Sequence, residues 1–134
     1  MKNFFSHPYL LINIIFAGVI ILIFIYSGIF SAQENNHPIK CPHYELTGKQ
    51  CPSCGISRSF SEIVRLKFES AQTYNQNGIG VFLFFFIQLG MRIGFGLLTI
   101  IYSSKKRTLI FIDSFVSIIL FLWTFWEFII FNNY

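Results

Sequence analysis

The sequence predicts an all-α integral membrane protein. It has three transmembrane helices, with a cysteine-containing extramembrane loop and a short amphipathic helix between the first two. Three observations carry this expectation. Of 134 residues, 54% are hydrophobic and only 12% charged, about half the charged fraction with which a soluble domain covers its surface. The mean hydropathy is +0.58. The apolar residues gather into three runs, each of bilayer length. Eighteen phenylalanines and 19% aromatics are foreign to disordered chains. A soluble enzyme is excluded.

The first run is Leu10 to Phe30, 21 residues with no charge and one amide, Asn13. At about 1.5 Å per helical residue it just covers a hydrocarbon core of about 30 Å. A cleaved signal peptide would have an apolar region of only about 7–15 residues, with small residues before the cut. Phe30 stands where a cut after Ala32 needs such a residue, so an uncleaved anchor is expected. The second run, Ile79 to Tyr102, is interrupted by Gln88 and Arg92; the third, Leu109 to Phe131, carries Asp113 and Glu127. Spans at 10–30, 79–102 and 109–131, with the loop 31–78, make one membrane domain.

Within the loop, Asn35, Asn36, Pro38 and Pro42 break up the stretch from Ser31 to Pro42. Ser59-Phe60-Ser61-Glu62 fits a capping box at a helix start. Apolar Phe60, Ile63, Val64, Leu66 and Phe68 then recur near helical spacing. A short amphipathic helix or helix pair is expected from about Ile56 to Tyr74, lying along the membrane surface.

Charge sets partners and orientation. The net charge is +4, but three of the ten basic residues form one cluster, Lys105-Lys106-Arg107, between two apolar runs. That is the charge mark of a cytoplasmic turn. No basic stripe interleaves with aromatics in a polar segment, so nucleic acid is not an expected partner. Lys2 precedes the first span, while the long loop dilutes five basic residues among four glutamates. The N-terminus and the basic turn are therefore placed in the cytoplasm, and the cysteine loop outside it. The lipid bilayer and other membrane proteins are the expected partners.

Charges inside the spans need partners. A mid-bilayer arginine costs at least about 2.5–3.5 kcal/mol unless paired or wetted. Counted from the basic turn, Arg92 and Asp113 lie within about 7 Å of each other in depth, so they are expected to pair between helices. Glu127, nearer the outer surface, is expected to snorkel or to contact the loop. Gly90-Met-Arg-Ile-Gly94 has the spacing of a close helix-packing face. Phe82–Phe86 and Trp123–Trp126 are expected to face lipid and the interface.

The loop holds nine of the sixteen charges and all three cysteines, Cys41, Cys51 and Cys54. Cys51-Pro52-Ser53-Cys54-Gly55 is a compact turn: proline fixes φ, and glycine permits a positive φ. Such a turn brings two sulfurs together. Three chemistries fit. Zinc takes four nitrogen or sulfur ligands, which Cys41, Cys51 and Cys54 supply with His43 or His37. A disulfide from Cys41 to Cys51 or Cys54 would staple the loop and leave an odd thiol. A redox-active Cys51–Cys54 pair beside a helix start would react as thiolate, making the protein a membrane thiol-disulfide oxidoreductase. Against that alternative, the loop has no βαβ framework and no second cysteine pair for a relay. An enzyme is the less favoured reading.

Cys41, Pro42, Thr47, Gly48, Cys51, Pro52, Cys54, Gly55, Ser57 and Arg58 together read C-P-x4-T-G-x2-C-P-x-C-G-x-[ST]-R. This pattern resembles the domain-of-unknown-function 2752 family of small bacterial membrane proteins. Phe68, Ala71, Tyr74 and Asn75 resemble that family's F-x-x-A-x-x-Y-N-P, with Gln76 in place of the proline. The resemblance implies a multi-pass protein of the bacterial inner membrane; with the orientation expected from the charges, the loop is periplasmic, in an oxidising compartment. It also implies a role for Thr47, Gly48, Gly55, Ser57 and Arg58 in loop structure or ligand contact. Arg58 is expected to bind a ligand or head group, or to pair with Glu45 or Glu62. No reaction follows. The reading is a structural or accessory component whose loop is shaped by a metal or a disulfide.

Overall fold

The computed structural model describes residues 8–33, 48 and 53–130. Among these residues the chain is helical and has no strand. The elements are α1 (Pro8–Ile29), α2 (Ile56–Val64), α3 (Phe68–Tyr74), α4 (Gly78–Ile101), a 3-10 turn (Ser103–Lys105), α5 (Lys106–Thr124) and the short α6 (Trp126–Ile129). Three of these helices, α1, α4 and α5, are long and apolar enough to cross a membrane. Their 22, 24 and 19 residues reach about 33, 36 and 28 Å.

The third span departs from the expected 109–131 at both ends. Lys106 and Arg107 belong to the first turn of α5, so the basic turn is mostly helical. Cations at a helix N-terminus oppose the macrodipole by about 0.3–1 kcal/mol. The helix ends at Thr124 and restarts as α6. The break falls at Thr124-Phe125-Trp126, three residues of poor helix propensity in succession.

The burial pattern is that of a membrane protein, with polar residues inside. Apolar side chains such as Phe16, Leu22, Ile101, Phe111 and Ile118 are exposed along the spans, whereas Asn13, Ser27, Gln88, Thr99 and Asp113 are buried. On α1 the residues Asn13, Ile20 and Ser27 recur every seven positions. Lipid tails are as apolar as leucine, so helices gain little by hiding leucine from them. Polar groups gain much by hiding together.

The chain divides into two compact units. One comprises Met1–Leu22 and Phe84–Trp123. Here Gly96 lets α1 approach closely, since a Cβ there would stand 3.6 Å from Leu10. Phe84 meets Phe121 edge to face at 6.2 Å. The Gly90–Gly94 face meets nothing within 4 Å, contrary to the close packing expected of it. Arg92 lies roughly opposite on the helix and takes the inward side, which leaves the small residues outward.

The other unit comprises Ile23–Leu83 and Thr124–Tyr134. Its centre is the α2–α3 pair, with Phe60, Ile63, Ala71 and Val81 buried. Phe82 packs on Phe60 edge to face at 5.3 Å and on Phe24 at 4.9 Å. The Phe82–Phe86 cluster is therefore not wholly lipid-facing, because Phe82 fills this interior. The capping box is also corrected. Helix α2 starts at Ile56, its N-cap is Gly55 with φ 81°, and no side chain caps it. Ser59 lies inside the helix, its N–H bonded to the Gly55 carbonyl at 2.8 Å. The left-handed glycine sets the start, and Ser59 is already fully buried.

Candidate functional site

Three constellations of polar residues come from the fold, one in the first unit and two in the second. In the first, α1 supplies Tyr9 and Asn13, α4 supplies Gln88 and Arg92, and α5 supplies Asp113 and Ser117. The structure brings Arg92 and Asp113 together: Nη2 stands 2.6 Å from Oδ1, with Asp113 1% and Arg92 11% exposed. The second carboxylate oxygen of Asp113 accepts the Tyr9 hydroxyl at 2.7 Å.

The remaining guanidinium contacts spread over all three helices. Nη1 donates to Asn13 Oδ1 at 2.9 Å, and Nη2 to Ser117 Oγ at 2.7 Å and Gln88 Oε1 at 3.3 Å. Nη2 has two hydrogens for three acceptors, so the long Gln88 contact is the shared one. Arg92 Nε and Asn13 Nδ2 are buried without a partner. The pair is neutral overall. What it can do chemically is fix helix register, since each charge is held by groups from the other helices.

The second constellation surrounds the cysteine turn. Cys54 is half-buried at the entrance to α2, and its carbonyl accepts the Asn75 side-chain amide at 2.8 Å. Asn75 Oδ1 in turn accepts the Asn77 N–H at 2.8 Å, turning the chain into α4. This asparagine makes the turn at Gln76. Gly55 lies against the Tyr74 carbonyl: a Cβ there would overlap that oxygen. Gly78 lies against Ser59 in the same way: a Cβ there would overlap the Ser59 hydroxyl. Residues 19 to 21 positions apart thus lock the turn onto the end of α3 and the start of α4.

A third arrangement was not legible in the sequence. Arg65, the C-cap of α2, reaches back to the end of α1. Its Nη1 donates to the carbonyls of Ser27 at 3.2 Å, Phe30 at 3.4 Å and Ser61 at 2.6 Å, and its Nη2 to Gly28 at 3.0 Å. The last carbonyls of a helix have no partner of their own and carry its negative end. A guanidinium fork with five donors suits them. The signal available in the sequence was an arginine at the end of the amphipathic stretch, but its target lies some 37 residues away.

The other expected site residues are placed as follows. Gly48 has φ 68°, and Gly55 has φ 81°, both in the left-handed region that favours glycine. The Ser57 carbonyl accepts the Ser61 hydroxyl at 3.2 Å. Arg58 is half-buried, and it makes no ion pair with Glu62 among the described residues; Glu62 is turned into the helix pair. Cys41, His43, Thr47 and Cys51, with His37 and Glu45, lie outside the described residues, as does the side chain of Glu127. No group of three metal-ligating side chains occurs among the described residues.

Fold and sites define a small multi-pass α-helical membrane protein in contact with the bilayer. Residues 41–89 match the family model described as a protein of unknown function, DUF2752. The match runs from Cys41 through the helix pair and into α4 as far as the residue after Gln88. No match was found among curated proteins or among solved structures.

Proposed function

We propose that the protein is a structural or accessory component of a bacterial inner membrane. Its cysteine loop, shaped by zinc or by a disulfide, presents a fixed surface to another membrane protein or to a ligand. The observation that carries this reading is the lock on Cys54. Asn75 holds the Cys54 carbonyl, and the Tyr74 backbone excludes any side chain at position 55. A sulfur whose backbone is pinned on both sides suits a role in which geometry is kept. Three thiols with His43 form a donor set that suits tetrahedral zinc. In this reading the N-terminus is cytoplasmic and the loop periplasmic, following the basic turn.

Thiol counting on purified protein with and without reductant, alongside zinc by elemental analysis, tests the proposal. One zinc per chain with three reduced thiols supports the metal form. One stable disulfide with a single thiol supports the stapled form. A Cys51–Cys54 bond that cycles with a quinone or a thiol partner overturns both and makes the protein an oxidoreductase. Sidedness has its own test. A membrane-impermeant maleimide should label the reduced, metal-stripped loop in intact spheroplasts; absence of labelling would put the loop in the cytoplasm.

A further inference from the structure

The elbow between α2 and α3 combines features that the cysteine loop does not account for. Helix α2 ends in a Schellman motif: the Lys67 N–H bonds to the Glu62 carbonyl at 3.0 Å, and the Leu66 N–H to the Ile63 carbonyl at 2.9 Å. The motif requires a left-handed residue, ordinarily glycine, after the C-cap. Here that residue is Leu66 with φ 62°, the one non-glycine residue at positive φ among those described. A leucine is strained there, whereas a glycine would not be. Its side chain is 76% exposed, and its neighbours Val64 and Phe68 are 39% and 50% exposed. The strain therefore gives the leucine no core to fill within the chain.

Position supplies the occupant. Between the exposed apolar residues, Arg65 points the other way and grips the carbonyls of Ser27, Gly28 and Phe30 at the end of α1. Val64 lies against Gly28, 3.9 Å from where a Cβ would be. The 22 residues of α1 are just long enough to cross the bilayer, so its last turn lies at head-group level. The elbow is tied to that depth. Exposed Lys67 beside the apolar trio adds a cation of the kind that snorkels to phosphates.

We propose that Val64, Leu66 and Phe68 insert into the phospholipid interface beside the end of α1, with Lys67 at the phosphates, so that the elbow is a built lipid anchor. The test uses the full chain in phosphatidylcholine–phosphatidylglycerol vesicles. The two native tryptophans, Trp123 and Trp126, are replaced by phenylalanine, and Leu66→Trp is added as the reporter. At an interfacial depth of about 5–10 Å, bromines near the carbonyl end of the acyl chains should quench the new tryptophan about two-fold more than bromines near the methyl end. Aqueous iodide should quench it weakly. Strong iodide quenching with no bromine effect would overturn the proposal by placing the elbow in water. Protection from both quenchers would overturn it in favour of a protein contact. Should Leu66→Trp not fold, Phe68→Trp in the same background is read identically. No cysteine takes part, so this outcome is independent of the chemistry of the cysteine loop.

Discussion

Removing one member of the buried Arg92–Asp113 pair should destabilise the protein more than the pair's own contribution would suggest. In Asp113→Leu the guanidinium keeps Asn13, Gln88 and Ser117 but loses the 2.6 Å carboxylate. An uncompensated charge then stays in a low-dielectric interior, at a cost of about 3–5 kcal/mol. Arg92→Leu leaves the carboxylate with the Tyr9 hydroxyl, at a similar cost. The double variant removes both charges. It leaves Asn13 and Tyr9 short of a partner at about 1 kcal/mol each, about 2 kcal/mol in all, while Ser117 still donates to Gln88 at 3.4 Å. Two separate losses would sum to about 6–10 kcal/mol, so a coupling of about 4 kcal/mol or more is expected. Equilibrium unfolding of the four proteins in dodecylmaltoside titrated with SDS measures it. Additivity within about 0.5 kcal/mol would refute the reasoning, because it would mean that neither charge depends on the other.

Other outcomes follow from the second unit. Arg65→Met should cost about 2–3 kcal/mol in the same titration, since one guanidinium serves four carbonyls; Arg65→Lys should recover only part of it, because an ammonium cannot fork. Gly55→Ala should cost more than about 2 kcal/mol, combining a left-handed φ with the Tyr74 carbonyl, and Asn75→Ala about 1 kcal/mol. Hydrogen exchange should rise first in α2 and α3 for both. Gly90→Ala and Gly94→Ala, which meet nothing, should be neutral or stabilising by up to about 1 kcal/mol, whereas Gly78→Ala should be destabilising through Ser59.

The sequence was most informative where one residue decides the matter. An arginine ten positions into an apolar run must find an anion, and depth counted at 1.5 Å per residue left Asp113 as the reachable one. The remaining members of that cluster were harder to see. Asn13, Gln88 and Ser117 are ordinary interruptions of apolar runs and Tyr9 stands just before one, and only the packing shows that all four converge on two charges. The capping-box expectation failed for a related reason. Ser and Glu three apart are common, whereas Gly55 carries a φ that few residues can adopt, so the stronger constraint set the helix start. Arg65 was missed because a C-cap donated from another segment leaves no local spacing to read.

Apolar surface gives these helices their place in the bilayer but not their register, since sliding one span along another exchanges one lipid-like contact for the next. Register needs groups for which a wrong neighbour is costly. In the first unit those are Arg92 and Asp113, whose separation by a single turn, about 5.4 Å, would leave two uncompensated charges. In the second they are the three carbonyls at the end of α1 held by Arg65. The composition that marks the chain as a membrane protein therefore leaves its specific structure to a handful of polar side chains. Substitutions among the many exposed phenylalanines and isoleucines of the spans should be tolerated far better than changes at these few positions.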